Sequence, residues 1–106
     1  MISLAEFKNM ELKIAQIKEV QDHPNADRLY VITIDLGDRL KQIVAGIKAA
    51  YAKEELIGKQ VVVVDNLEPA MLRGIESQGM LLAAQDEQGI CIVSPLRFVK
   101  PGSIVK

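Results

Sequence analysis

Every second residue from Tyr30 to Leu36 is apolar, and the positions between them include Thr33 and Asp35. Because successive side chains of an extended chain point to opposite faces, this period of two predicts a half-buried β-strand. We expect the buried face of that strand to carry Tyr30, Ile32, Ile34 and Leu36.

Other segments indicate β-structure by different patterns. The segment "KQVVVVDNL" is β-branched and has no polar face before Asp65, which predicts a strand buried on both sides. "KQIVAG" is a shorter strand, and "GMLLAAQ" and "ICIVS" flank "DEQG" in the manner of a β-hairpin. In "MELKIAQIKEV" the alternation slips near Ala15 and Gln16, which predicts a strand with a bulge there. A helix is the competing interpretation of that segment, because residues 10, 14 and 17 share a helical face.

Two short helices complete the pattern. Ser3 and Glu6 have the spacing of a capping box, which predicts a single-turn helix over residues 4–8. "AAYAKEELIG" contains good helix formers and ends in Gly58, where a helix stop belongs. The predicted fold class is therefore all-β, with a short helix between strands 3 and 4 and small extensions at both ends. We expect a five-stranded barrel, closed or partly open, because closure removes exposed strand edges.

Composition limits the classes of protein to consider. The 106 residues fit one domain, residues 1–106, and 49% of them are apolar, which excludes a chain disordered by composition. The net charge is only −1, so a polyanionic ligand requires the 13 Lys and Arg residues to be sorted onto one face. The single cysteine, Cys91, fits a reducing, cytoplasmic location and is interpreted as small core packing. We expect no membrane association, because no signal peptide is visible and the apolar runs are too short to span a bilayer.

The segment "RGIESQGM" raises the question of catalysis, because Ser77 is followed closely by a glycine. The esterase motif G-x-S-x-G lacks its first glycine here, and the only histidine, His23, stands upstream of the serine, in the wrong order for that fold. His23 and Cys91 do not have the spacing of a zinc site, and no phosphate-binding loop motif is present. We therefore expect no catalytic residue, no metal and no cofactor.

His23 is interpreted as a turn residue. "RGIESQGM" is interpreted as a loop that leads into a strand, in which Ser77 and Gln78 either bind a ligand or only tie down a hairpin.

Four stretches of this chain, in this order, resemble the tRNA-binding domain family: "HPNADRLY", "VAGI", "NLEPAMLRGIESQGMLLAA" and the closing "PLRFVKPG". This family has the oligonucleotide/oligosaccharide-binding (OB) fold. It includes the C-terminal domain of many methionyl-tRNA synthetases, free-standing dimeric tRNA-binding proteins and CsaA-type secretion chaperones. The resemblance implies an OB barrel that binds tRNA by shape and backbone contacts, without chemistry. The small number of aromatic residues agrees with such recognition, because stacking of unpaired bases needs an aromatic platform.

The resemblance also implies which residues bind tRNA. Its motifs match this chain at positions before the second strand, after the fourth strand and in "RGIESQGM". The predicted tRNA-binding residues at these positions are Asn25, Arg28, Asn66, Arg73, Ser77, Gln78 and Met80. Lys41 is a further predicted tRNA-binding residue, outside the motifs. This chain departs from many relatives at Ala70 and Met71, which stand where those relatives carry basic residues, so the expected RNA face loses positive charge.

Short members of the family form homodimers through segments added to the barrel, and this chain has apolar residues in such segments. The predicted dimer interface consists of Phe7, Leu96, Phe98, Val99 and Ile104. The alternative is that these residues cap the barrel. The leading prediction of function is a tRNA-binding and dimerisation domain that aids aminoacylation by binding tRNA without sequence specificity. Its partner would be a methionyl-tRNA synthetase catalytic domain in cis or in trans. The alternatives are a free-standing dimeric tRNA-binding protein and a CsaA-type peptide-binding chaperone.

Overall fold

The computed structural model describes residues 1–106 and contains two four-residue helices and ten strands. In chain order these are α1 Leu4–Phe7, β1 Leu12–Asp22, β2 Tyr30–Asp35, β3 Leu40–Ala45, α2 Lys53–Leu56, β4 Gln60–Val64, β5 Ala70–Leu72, β6 Ile75–Ser77, β7 Met80–Leu81, β8 Ala83–Asp86, β9 Gly89–Ile92 and β10 Ile104–Val105. Neither helix has the length and apolar character needed to cross a membrane.

Five of these strands form a nearly closed antiparallel barrel in the order β3-β2-β1-β4-β7. The first half of β1 pairs with β4 and its second half pairs with β2, so β1 connects the two sides of the barrel. The short helix α2 lies between β3 and β4, as predicted. It covers only four of the ten residues predicted to be helical, and Gly58 lies two residues after its end with a φ of 87°. The predicted five-stranded all-β barrel is confirmed.

The position of the bulge in β1 was predicted wrongly. The register with β2 shifts between Ile17 and Glu19, not at Ala15 and Gln16. The slip in the sequence pattern has a different cause, because both faces of the first half of β1 are buried. Leu12 and Ile14 pack on the outside of the barrel, whereas Ala15 and Ile17 face its interior.

Two apolar clusters follow from this arrangement. The larger one fills the barrel, and Tyr30, Ile32, Ile34 and Leu36 all belong to it, as the alternating pattern predicted. The smaller one, here called the outer cluster, consists of Leu12, Ile14, Val62 and Val64. The β-branched run of β4 therefore has both faces buried, as predicted, and the terminal segments cover the outer cluster with Phe7, Val99 and Val105.

Two smaller predictions about the C-terminal half need correction. The predicted strand "GMLLAAQ" is divided into β7 and β8 at Leu82, although the hairpin of β8 and β9 forms around "DEQG" as expected. Cys91 is exposed and does not pack in the core. On the alternating faces of β9, its neighbours Ile90 and Ile92 take the inward positions and pack against the barrel cluster.

Candidate nucleic-acid interface

The segment "RGIESQGM" lies mostly in a β-hairpin, which corrects its interpretation as a loop. β5 and β6 pair antiparallel, and Arg73 and Gly74 form the two-residue turn between them. Their φ angles are 55° and 92°, so both central residues have the positive φ that a type I′ hairpin turn requires. Arg73 is the only non-glycine residue with positive φ, a conformation that costs about 1–2 kcal/mol for a residue with a Cβ. The hairpin thus presents a guanidinium group at its tip.

His23 holds this hairpin to the loop between β1 and β2. Its side chain is buried, and its Nδ1 lies 3.0 Å from the amide nitrogen of Asn25, which can only donate. The neutral ring therefore carries its proton on Nε2, which donates to the carbonyl oxygen of Leu72 at 2.9 Å. The interpretation of His23 as a simple turn residue missed this link, because Leu72 is 49 positions away in the sequence.

The same contact brings two predicted tRNA-binding residues together. The guanidinium of Arg73 donates to the carbonyl oxygen of Asn25 at 3.3 Å, and the side-chain amide of Asn25 donates to the carbonyl oxygen of Arg73 at 3.4 Å. Arg28 is exposed in the same loop as Asn25. Neither Arg28 nor Arg73 forms an ion pair. This end of the barrel therefore carries two guanidinium groups whose charge no acidic side chain neutralises.

Ser77 and Gln78 close the barrel along β3. The amide of Val44 donates to Ser77 Oγ at 2.9 Å, and that hydroxyl donates to the carbonyl oxygen of Gly79 at 2.9 Å. The amide of Gln42 donates to Gln78 Oε1 at 2.9 Å, and the amide of Gln78 donates to the carbonyl oxygen of Gln42 at 2.8 Å. We call these four contacts the closing seam. Because Ser77 is buried, its position favours the alternative in which it fixes the hairpin, and a direct tRNA contact by Ser77 stays a prediction.

Lys41 belongs to a group of charges at the other end of β3. Lys13, Arg39 and Lys41 all contact the carboxylate of Asp65, and we call these four residues the Asp65 cluster. The Asp65 side chain is only 2% exposed. Burial by itself would raise the pKa of the Asp65 carboxyl, but hydrogen bonds from Lys13, Lys41 and Arg39 outweigh burial and hold that pKa well below its ordinary value. Sequence reasoning found Lys41 and missed the other three, because their spacing forms no motif.

Asn66 and Met80, the two remaining predicted residues, lie in different surroundings. Asn66 accepts the amide of Glu11 at 2.9 Å and donates to the carbonyl oxygen of Asn9 at 2.7 Å, so its side chain ties down the N-terminal segment. Met80 is half-exposed at a mainly apolar cavity of about 310 Å³ between β3 and the hairpin. Whether either residue binds tRNA stays a prediction.

The five residues of the predicted dimer interface divide into two groups. Phe7 and Val99 pack against the outer cluster, as the capping alternative requires. Leu96, Phe98 and Ile104 are exposed, and we call these three residues the terminal face. Phe98 is 64% exposed and Ile104 is 74% exposed, so these apolar side chains have little cover within one chain.

Comparison with known proteins agrees with this architecture. A family model described as "Putative tRNA binding domain" matches residues 12–103. The chain is 51% identical over 105 residues to a methionine–tRNA ligase of Thermococcus kodakarensis, covering 99% of this chain and 14% of that protein. A methionine–tRNA ligase of Nanoarchaeum equitans is 46% identical over 106 residues, again with 14% of its length covered. The chain therefore spans about one seventh of the length of these relatives.

Two solved structures have nearly the same fold. A MetRS-related protein from Pyrococcus horikoshii has a TM-score of 0.93 and 31% identity, covering 100% of this chain and 98% of that one. The CsaA chaperone from Picrophilus torridus has a TM-score of 0.93 and 29% identity, with both chains fully covered. The shared backbone therefore occurs both in a synthetase-related protein and in a chaperone.

Proposed function

Because this chain belongs to the tRNA-binding domain family, we propose that it binds tRNA for a methionyl-tRNA synthetase and joins two copies of that enzyme. It is an accessory domain, since the matched family is a tRNA-binding domain without catalytic function. The catalytic domain would stand on the same chain or on a separate one, and the binding would aid aminoacylation without reading sequence. The observation that carries the proposal is the pair of unneutralised guanidinium groups, Arg28 and Arg73, at one end of the barrel.

The surroundings of the two tyrosines support recognition by shape and phosphate contacts. The hydroxyl of Tyr30 donates to the carbonyl oxygen of Tyr51 at 2.7 Å, and the hydroxyl of Tyr51 accepts the amide of Ile92 at 3.0 Å. Both rings pack with the barrel core, so neither is free to stack on a base. Binding would therefore depend on charge and on the shape of the RNA.

Contact with tRNA would be made at the hairpin turn and the loop beside it. We propose that Asn25, Arg28 and Arg73 touch the RNA backbone, and that Met80 adds an apolar contact. Asn66, Ser77 and Gln78 would act mainly by holding their segments in place, since their polar atoms already have partners within the chain.

Substitution of Arg73 tests this site. We expect Arg73→Ala to weaken tRNA binding roughly tenfold, the loss that one charged hydrogen bond implies. The slope of log affinity against log salt should become shallower by about one ion, because one phosphate is no longer neutralised. Binding titrations at several salt concentrations measure both quantities. Arg73→Lys, which keeps the charge, should restore most of the slope; an Arg73→Ala protein with wild-type affinity and slope would contradict the proposal.

Dimer formation is a separate part of the proposal and rests on the terminal face. We expect light scattering at micromolar concentration to give about twice the monomer mass of 11.7 kDa. Phe98→Asp should convert the dimer to monomer, because a charge would be buried without a partner at the interface. Met71→Asp, at a residue also 64% exposed but on the hairpin, is the control and should leave the mass unchanged. A monomeric wild-type protein would refute dimerisation and leave tRNA binding untouched.

A chaperone function is the second candidate, and the apolar cavity beside Met80 favours it. Leu67, Leu72 and Leu81 line that cavity, which suits an apolar side chain of an extended peptide. The tRNA titration separates the two functions, because a peptide-binding module should show no salt-sensitive binding of tRNA. A free-standing tRNA-binding protein would bind in the same way as a synthetase domain and differs only in lacking a catalytic partner.

A further inference from the structure

The Asp65 cluster contains more positive charge than its buried carboxylate requires. One carboxylate neutralises one of the three cations, so the four side chains together carry a charge of +2. Glu11 and Asp38 also approach the cluster, but their side chains are 58% and 73% exposed at its edge. Exposed ion pairs of this kind are weak, and a phosphate group could replace them.

The cations also keep hydrogen-bond donors that no protein group accepts. Lys13 uses one donor, on the Asp65 carboxylate, and Lys41 uses one, on the carbonyl oxygen of Asp65, while its Nζ also lies 2.7 Å from Asp65 Oδ1 as an ion pair. Arg39 donates to Asp65 and Asp38 and keeps further N–H groups. Each of the three side chains is between 21% and 39% exposed, so the remaining donors can reach a ligand.

Asp65 fixes the positions of these donors in advance. A free lysine loses much side-chain entropy when it binds a phosphate, whereas Lys13 and Lys41 are already held at 2.8 and 2.7 Å from the carboxylate oxygens. Because the side chains are already ordered, binding of a negatively charged ligand does not have to overcome that entropic cost. Asp65 would thus act as a positioning residue, without touching the ligand.

The cluster lies at some distance from the hairpin turn but along the same edge of the barrel. Lys41 precedes Gln42, which bonds to Gln78 in the closing seam, and Arg73 is five residues further along the hairpin. At about 3.3 Å per residue, the five residues from Gln78 to Arg73 cover roughly 16 Å, a distance that spans several nucleotides of an RNA backbone.

From this arrangement we propose that Lys13, Arg39 and Lys41 form a second RNA-phosphate site, positioned by Asp65 and separate from the site at Arg28 and Arg73. The proposal rests on the tRNA-binding function proposed above.

Two substitutions with opposite expected effects test the second site in tRNA titrations against salt. Arg39→Gln should weaken binding roughly fivefold to tenfold and make the salt slope shallower by about one ion. Asp38→Asn removes an exposed acid from Arg39, so it should strengthen binding about twofold to threefold and steepen the slope. Lys59→Gln is the matched control. Lys59 forms no ion pair and lies beside the terminal segment, at the cleft formed with Leu96 and Phe98. Its substitution should change neither the affinity for tRNA nor the salt slope.

The outcomes distinguish this proposal from the proposed function. If the wild-type protein binds tRNA and Arg73→Ala weakens it, but Arg39→Gln and Asp38→Asn behave like Lys59→Gln, the second site is overturned and the function stands. If the wild-type protein binds no tRNA at all, both fail. Support requires that Arg39→Gln and Arg73→Ala lower the affinity independently, so that the double variant shows the product of the two losses. Thermal melting of each variant confirms that folded protein is compared.

Discussion

Asp65→Asn is expected to lower the free energy of unfolding by about 3 kcal/mol, the lower end of the range of about 3–5 kcal/mol for a buried ion pair that loses one partner. The substitution keeps the size of the side chain but leaves Lys13, Arg39 and Lys41 facing one another without the buried anion that they share. The lower end is expected because the lysines are about one fifth exposed and can turn partly to water. Urea or thermal unfolding measures the loss.

The same residue predicts how stability depends on pH. The pKa of the Asp65 carboxyl is held below its ordinary value in the folded protein, so the carboxylate binds fewer protons when folded than when unfolded. Its contribution to stability is therefore complete above the unfolded pKa of about 3.9 and is lost as the pH falls below that value. The wild-type protein should lose stability in this acid range, and Asp65→Asn should lose less over the same range.

Asp38→Asn provides the matched control for this prediction. It makes the same chemical change beside the same Arg39, but the side chain of Asp38 is 73% exposed, so a change within about 0.5 kcal/mol is expected. Equal losses of stability for the two variants would show that the Asp65 cluster contributes no more than a surface ion pair.

Ser77→Ala is the second substitution with a large expected effect, a loss of roughly 2–4 kcal/mol. Without Oγ, the amide of buried Val44 loses its partner, and an unsatisfied buried group costs about 1–3 kcal/mol. The carbonyl oxygen of half-buried Gly79 loses the same hydroxyl, which adds a smaller cost. The affinity for tRNA per folded molecule should change little, because the hydroxyl is buried. Thermal melting and tRNA titration on the same sample measure the two effects separately.

Ser103→Ala is the control for Ser77→Ala. The hydroxyl of Ser103 donates only to the exposed carbonyl oxygen of Lys100, which water can satisfy, so little loss of stability is expected. If Ser77→Ala instead weakened tRNA binding strongly at unchanged stability, the sequence-based assignment of Ser77 as a tRNA-binding residue would be right.

Local patterns were sufficient to predict the elements of the barrel. The alternation from Tyr30 to Leu36 identified β2 and its buried face, and the β-branched run identified β4 as buried on both sides. The bulge in β1 was misplaced because the pattern reports which face is buried, and in β1 the outer face is buried only where the terminal segments cover it. That cover comes from distant parts of the chain and leaves no local signal.

The candidate site was less predictable, for a similar reason. The motifs marked Ser77, Gln78 and Arg73 together, yet the first two take part in the closing seam and only the third presents a free charge. A motif cannot separate these roles, because residues required for folding and residues required for binding lie only a few positions apart in the sequence. Asp65 and Arg39 are 26 positions apart, and only the folded chain shows that they meet.

The closing seam has a consequence for how this domain can change during evolution. In an ordinary strand pair the bonding groups belong to the main chain, so almost any side chain can be exchanged without loss of the pairing. Here three of the four contacts depend on the hydroxyl of Ser77 or the side-chain amide of Gln78, so a substitution of either residue removes a bond that no neighbouring residue can replace. We therefore expect Ser77 and Gln78 to vary little even among relatives that have lost their RNA ligand.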